Sequence, residues 1–245
     1  MFISFENLFS LLFNLSNKGI EIMRVDKSTD GISYEIKTLN AIKVLDRTLN
    51  EYNSHEIFLS FNGGKDCTVL LHMFASLFAT KYPNEKLLCL YIQPESPFDE
   101  IEQFIHECEQ NYPIAVEIIR GTVKGALFEI CNKYPNLKAC VMGCRRTDPY
   151  CANLNEFQNT DPGWPALMRI NPLLEWTCKD IWNYLHQLNV PYCSLYRRGY
   201  TSVGDRTNTK PNPFLRQTNP ITNKEEYLHA DQLINQDENE RAGRF

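Results

Sequence analysis

Apolar residues fall in short blocks along the chain, and the blocks alternate between two periods. Ile57-Phe58-Leu59 is a brief apolar run that stops at Ser60-Phe61-Asn62-Gly63-Gly64. Beyond the glycines the spacing changes. Val69, Leu70, Met73, Phe74, Leu77 and Phe78 form the i, i+4, i+8 stripe, doubled by its neighbour, of a half-buried helix. The predicted order is strand, glycine turn, helix. Residues 86–92 contain Leu-Leu-Cys-Leu-Tyr-Ile without polar alternation, as in a strand covered on both faces. Pro94 and Pro97 end it, and residues 99–110 carry Ile101, Phe104 and Ile105 at helical spacing. A third strand is expected over 115–119, a helix over 123–131 stopped by Tyr134-Pro135, and a fourth strand over 138–142. This alternation predicts an α/β fold: a doubly wound, mostly parallel sheet with helices on both faces. Such a sheet brings the carboxyl end of every parallel strand to one rim, where ligands bind.

The flanks are less regular. Leu8, Leu11, Leu12 and Leu15 predict an amphipathic helix over residues 1–15, residues 16–34 read as loop, and 34–52 predict another helix. The first of these is too short to span a membrane and lacks a basic leader. Thr177-Cys178-Lys179-Asp180 is a capping box opening a helix through Ile181, Trp182, Leu185 and Leu188. Residues 196–215 are rich in glycine and proline and predict a long shaped loop. The tail is acidic over 237–240 and then ends Arg241-Ala242-Gly243-Arg244-Phe245.

Composition narrows this picture. The 245 residues suit one domain, and 43% hydrophobic content suffices for a core. A net charge of −5 argues against a global field for nucleic acid and leaves only a local basic cluster open, so no nucleic-acid partner is expected; no apolar run reaches membrane-spanning length. Nine cysteines, an odd number without any Cys-x-x-Cys pair, read as free buried thiols of a cytoplasmic protein. Cys140, Cys144 and Cys151 offer a weak alternative as metal ligands, without a histidine at helpful spacing.

Three stretches carry candidate chemistry. Gly63 and Gly64 let backbone amides approach an anion before a helix N-terminus, and Lys65 adds a mobile positive charge. The spacing is not that of a Walker A loop. Met142-Gly143-Cys144-Arg145-Arg146-Thr147-Asp148 follows the fourth strand and should reach the same rim. Its two arginine forks suit phosphate oxygens; in isolation the stretch reads as a solvated basic loop, and its place at a strand's carboxyl end favours function. Asp161-Pro162-Gly163-Trp164-Pro165 sets a tryptophan among turn residues, either as a stacking surface or as a plug beneath the loop.

Taken together, Asn62-Gly63-Gly64-Lys65-Asp66-Cys67, residues 143–149, residues 161–165, residues 199–204 with Pro211-Asn212-Pro213, and Glu240-Arg241-Ala242-Gly243-Arg244 resemble the yeast-type FAD synthases of the PAPS-reductase-like superfamily. The blocks run in family order over residues 55–245. Asn62 and Cys67 stand where the general PP-loop has serines, as in this family. The resemblance implies a PP-loop fold and the reaction FMN plus MgATP giving FAD plus pyrophosphate, in a cytoplasmic flavoprotein that acts as a monomer. It divides the single domain into an N-terminal helical segment (1–54), a nucleotide-binding core (55–150), and a flavin-binding segment with the tail (151–245). It implies that Phe61, Asn62, Gly63, Gly64, Lys65, Gly143, Arg145 and Arg146 bind ATP, and that Asp161, Trp164 and Arg169 bind flavin. Asp66, Asp148, Arg241 and Arg244 would be catalytic, with Asp66 also placing Mg²⁺.

Three rivals share features with this reading. A sulfonucleotide reductase would need a nucleophilic C-terminal cysteine, and none follows Cys193. A tRNA-modifying or other adenylating PP-loop enzyme commonly carries a basic RNA-binding face, against which the net −5 argues. A silent module would bind ATP or flavin without turnover.

Overall fold

The computed structural model describes residues 33–245. The helix expected over 1–15 lies outside them. The chain enters through α1 (Tyr34–Glu51), then alternates β1 (Ile57–Ser60), α2 (Lys65–Lys81), β2 (Leu87–Gln93), α3 (Asp99–Asn111), β3 (Ile114–Arg120), α4 (Val123–Lys133) and β4 (Ala139–Val141). Two short strands follow, β5 (Phe157–Asn159) and β6 (Met168–Ile170), and then α5 (Cys178–Gln187). Beyond it the chain runs through short 3-10 turns, a small hairpin β7 (Arg216–Thr218) and β8 (Glu225–Tyr227), and one turn of helix α6 (Gln236–Asn239).

The main sheet has the order β3-β2-β1-β4-β6-β5, with only the edge pair β5–β6 antiparallel. The doubly wound parallel sheet predicted from the alternation is therefore present. It is extended by β6 and β5, which the apolar pattern did not predict. Strand order reverses between β1 and β4, the place where ligands bind in sheets of this kind. Both the glycine turn and the loop bearing Arg145 open from that point.

Strand alternation divides the core in two. Ile57, Leu59, Leu87, Cys89, Tyr91, Ala139, Val141 and Ile170 face one side and pack under α1, α2, α3 and α5. Phe58, Leu90, Ile119 and Cys140 face the other, where α4 packs through Ala126 and Ile130. Helices lie on both faces, as expected, but unevenly. Among the described residues a single helix covers the second face, and part of that face stays open. The α5 capping box forms as predicted, Thr177 and Asp180 exchanging hydrogen bonds, and Lys37 of α1 pairs with Asp180 at 2.8 Å.

Candidate active site

After β1 the chain turns in four residues, 61–64. Gly63 sits at φ +71°, where a side chain would be strained and its Cβ would press Ile101 and Ile105 at 3.2 and 3.3 Å. The Asn62 carboxamide oxygen accepts from the Gly64 amide (2.9 Å), fixing the turn, and α2 begins at Lys65. The Lys65 amide donates to the Tyr196 hydroxyl at 2.8 Å. The helix N-terminus is thus partly capped by the protein itself. Gly143 brings the β4 loop against this turn, since a Cβ there would lie 3.2 Å from Cys67 Sγ.

Beneath the turn lies a buried charge cluster. Lys65 and Arg145 are each only 1% exposed. Lys65 Nζ reaches Asp66 Oδ2 at 2.9 Å and also contacts Glu240. Arg145 meets Asp66 Oδ1 at 2.6 Å, Asp237 at 2.9 Å and Glu240. The contact with Asp66 Oδ1 is a charge contact, because the N–H direction misses the oxygen. Burial alone would lower both pKa values, yet Asp66 and Glu240 hold those of Lys65 and Arg145 above their ordinary range. Asp66 is likewise pushed up by burial and more than brought back down by Lys65 and Arg145. Asp148, at the edge of the cluster, caps its own loop by accepting from the Arg145 amide (2.9 Å), and burial raises its carboxyl.

Two other arginines keep their charge less compensated. Arg241 is half-exposed, with Asp148 at 3.9 Å. Arg244 is half-buried against Gly204, and among the described residues no carboxylate pairs with it. Burial and then Arg241 depress its pKa. Repulsion between two neighbouring guanidiniums favours an anion bound to both.

Between β5 and β6, over the second face of the sheet, Asp161-Pro162-Gly163-Trp164 forms a type II turn. Proline occupies the second position, Gly163 has φ +83°, and the Trp164 amide donates to the Asp161 carbonyl at 3.1 Å. Thr160 closes the loop by donating to the Pro165 carbonyl (2.6 Å) and accepting from the Leu167 amide (3.1 Å). Trp164 is 36% exposed, with Lys124 Nζ 5.7 Å from the ring centroid. That decides between the two expectations for this side chain: it is not a plug beneath the loop. It walls a cavity of about 200 Å³ on the thinly covered face of the sheet, floored by Leu90, Ile92, Cys140 and Met142. Asp161 and Arg169 line the same cavity, and Arg169 Nε is buried without a hydrogen-bond partner. Ile92 is shared with a second cavity of about 140 Å³, lined by Asn62, Tyr91, Phe98, Val203 and Gly204.

A family model described as the phosphoadenosine phosphosulfate reductase domain matches residues 56–211. A Schizosaccharomyces pombe protein called probable FAD synthase is 33% identical over 210 residues, which cover 83% of this chain and 77% of that protein. The chain belongs to the FAD synthase family. A Caenorhabditis briggsae protein of the same description is 40% identical over 217 residues, covering 87% of this chain and 41% of that protein. Among solved structures, Candida glabrata FMN adenylyltransferase in complex with FAD and inorganic pyrophosphate is similar with a TM-score of 0.79. Its sequence is 29% identical, and the match covers 100% of this chain and 98% of that one. The resemblance drawn from the motif blocks is borne out.

Within this FAD synthase-family fold, the glycine turn and the Arg145–Asp148 loop follow the carboxyl ends of β1 and β4, Asp161, Trp164 and Arg169 line the open sheet face, and several of these residues do other than expected. Phe61 is a core side chain, fully buried, with its amide bonded to the Leu90 carbonyl (2.9 Å), so only its backbone belongs to the turn. Lys65 is not a mobile charge, because the tail carboxylate covers it. Arg146 turns away from the cluster: its guanidinium binds Glu175 (2.7 Å) and the carbonyls of Ala152 (2.9 Å) and Leu154 (3.0 Å), pinning its own loop. Asp66 does not suit a Mg²⁺ ligand, since a cation lies within 3 Å of each carboxylate oxygen. No sequence pattern assigned a role to Tyr196, Asp237 or Glu240, although Glu240 opens the last of the family blocks. The acidic run before Arg241 was visible, but nothing in it indicated buried partners.

Proposed function

We propose that this chain is an FMN adenylyltransferase that transfers the adenylyl group of MgATP to the phosphate of FMN, yielding FAD and pyrophosphate. The observation that carries the reading is the pair of cavities sharing Ile92 at the sheet's switch point, beside two arginines with little charge compensation. The flat isoalloxazine fits the apolar sheet floor with Trp164 against its face, and Asp161 and the unpartnered Arg169 Nε meet its polar edge. The adenine takes the second cavity, against Tyr91 and Phe98. The glycine turn, Arg241 and Arg244 then hold the phosphates.

An oxygen of the FMN phosphate attacks the α-phosphorus of ATP in line. The bond from that phosphorus to the bridging oxygen breaks, and pyrophosphate leaves with the electron pair. No protein nucleophile takes part, so the protein's work is positioning and charge neutralisation. Cys67, the thiol nearest the turn, is held inert because burial and then Asp66 push it up to about 12. Mg²⁺ enters as the counter-ion of ATP. Among the described residues no group of three carboxylates, histidines or cysteines is arranged to hold it.

The test is direct. Protein incubated with FMN, ATP and Mg²⁺ is expected to form FAD and pyrophosphate in equal amounts, measured by chromatography and a pyrophosphate assay. Binding of both substrates without product would make the chain a nucleotide- and flavin-binding module instead.

A further inference from the structure

The buried cluster poses a question that the reaction does not answer: why the two most buried cations at the rim are paired to the chain's own tail. Of the tail residues, Glu240 alone touches both Lys65 and Arg145. Lys65 begins α2 just after the glycine turn, and Arg145 belongs to the loop after β4. One carboxylate therefore ties the tail to both loops of the switch point. Its backbone is held in the same place, with the Glu240 carbonyl accepting from Thr201 Oγ1 (2.6 Å) and the Asn239 carbonyl from Asn212 Nδ2 (2.9 Å). The neighbouring Asp237 joins Arg145 to the first turn of α5, accepting from the Cys178 amide at 2.9 Å.

Downstream the register is tight. Arg241, the next residue, meets Asp148. Three residues on, Thr209 and Arg244 form a β-bridge, and the Lys210 amide donates to the Gly243 carbonyl at 2.9 Å. Gly243 has no room for a Cβ, which would lie 2.3 Å from the Lys210 carbonyl oxygen. A tail shifted by one residue would lose both guanidiniums from the rim.

We infer that Glu240 is a positioning residue: its carboxylate, bridging Lys65 and Arg145, sets the register of the C-terminal tail so that Arg241 and Arg244 are delivered to the reacting phosphates. Lys65 and Arg145 serve as the fastening, and the charge offered to the substrates comes from the tail. The inference rests on the FMN adenylyltransferase reading for what the arginines do, but not for how the tail is held.

Two variants test it. Glu240→Gln keeps the shape and removes the charge; Glu240→Asp keeps the charge but is a methylene short of spanning two cations. In Glu240→Gln, kcat is expected to fall by at least about ten-fold while KM for ATP changes by less than about threefold. Glu240→Asp is expected to recover part of the loss, and it carries the test alone if Glu240→Gln does not fold. Trypsin cleavage after Arg241 in the ligand-free protein is expected to quicken in both variants, and this arm needs no catalysis. If wild type makes no FAD, the functional reading fails while the cleavage arm still judges the fastening. Equal cleavage rates in wild type and variants would overturn the inference, as would an unchanged kcat. So would a lower KM for ATP at constant kcat, since Glu240 would then be a competitor of the phosphates.

Discussion

At the scale of single residues, chemical type and role come apart. Lys65 and Arg145 are the groups a phosphate would be expected to meet, yet each is enclosed and paired with carboxylates. A lysine beside two glycines is visible in the sequence; the residue that covers it, Glu240, lies 175 positions away. Of the cluster and the tail, Arg241 and Arg244 are the cations left to meet phosphates. Replacing Arg244 by Met is expected to lower kcat by about a hundred-fold, the usual scale for losing one donor to a transition-state anion, with little change in melting temperature. Steady-state FAD formation beside a thermal melt checks this. Trp164 is legible in a different way, because Asp-Pro-Gly-Trp encodes the turn that presents it. Trp164→Ala is expected to weaken FMN binding by about 1–3 kcal/mol, by analogy with base stacking, as measured by flavin fluorescence titration. Unchanged affinity would remove the ring from the flavin site.

At the scale of elements, uneven cover of the sheet creates the site. Among the described residues four helices close one face and one helix packs on the other, so Leu90, Ile92, Cys140 and Met142 form an apolar floor. The long apolar strands could be read because they are buried on both faces. β6 could not: three residues with Arg169 in the middle leave no run to detect, and its place beside β4 comes from long-range pairing. The 199–204 segment shows how a loop is matched to the tail it supports. A Cβ on Gly204 would lie 2.3 Å from the Arg244 guanidinium, which is the movable end of a long side chain. Gly204→Ala is therefore expected to leave the fold intact and displace that guanidinium. FAD formation should fall by about ten-fold or more while chemical denaturation shifts by less than about 1 kcal/mol. A variant with full activity would place Arg244 outside the chemistry.

At the scale of the whole molecule, burial couples pH to stability at a point far from the rim chemistry. His72 on α2 is buried, with Nδ1 2.8 Å from the Tyr184 hydroxyl, and burial lowers its pKa from 6.5 to about 4. The folded protein therefore keeps this imidazole neutral where the unfolded chain protonates it. The unfolded state binds more protons between pH 6.5 and 4, so stability falls as pH drops through that window. The loss from this residue should reach about 3 kcal/mol at pH 4. Urea denaturation of wild type and His72→Asn at pH 7 and pH 4.5 checks it. The variant should show the shallower pH dependence, and equal slopes would mean that His72 is not the titrating group.

The sequence alone determined the fold class, because strands buried on both faces and helices buried on one leave periods that survive without any partner. It also determined the family and the rim, because glycine turns, capping boxes and Asp-Pro-Gly-Trp are local devices whose geometry follows from nearby residues. Tertiary structure decided which charges remain available to a ligand. Pairing of buried ions depends on which distant segments meet, and no spacing along the chain encodes that Glu240 and Asp237 close over Lys65 and Arg145 while Arg241 and Arg244 stay at the rim.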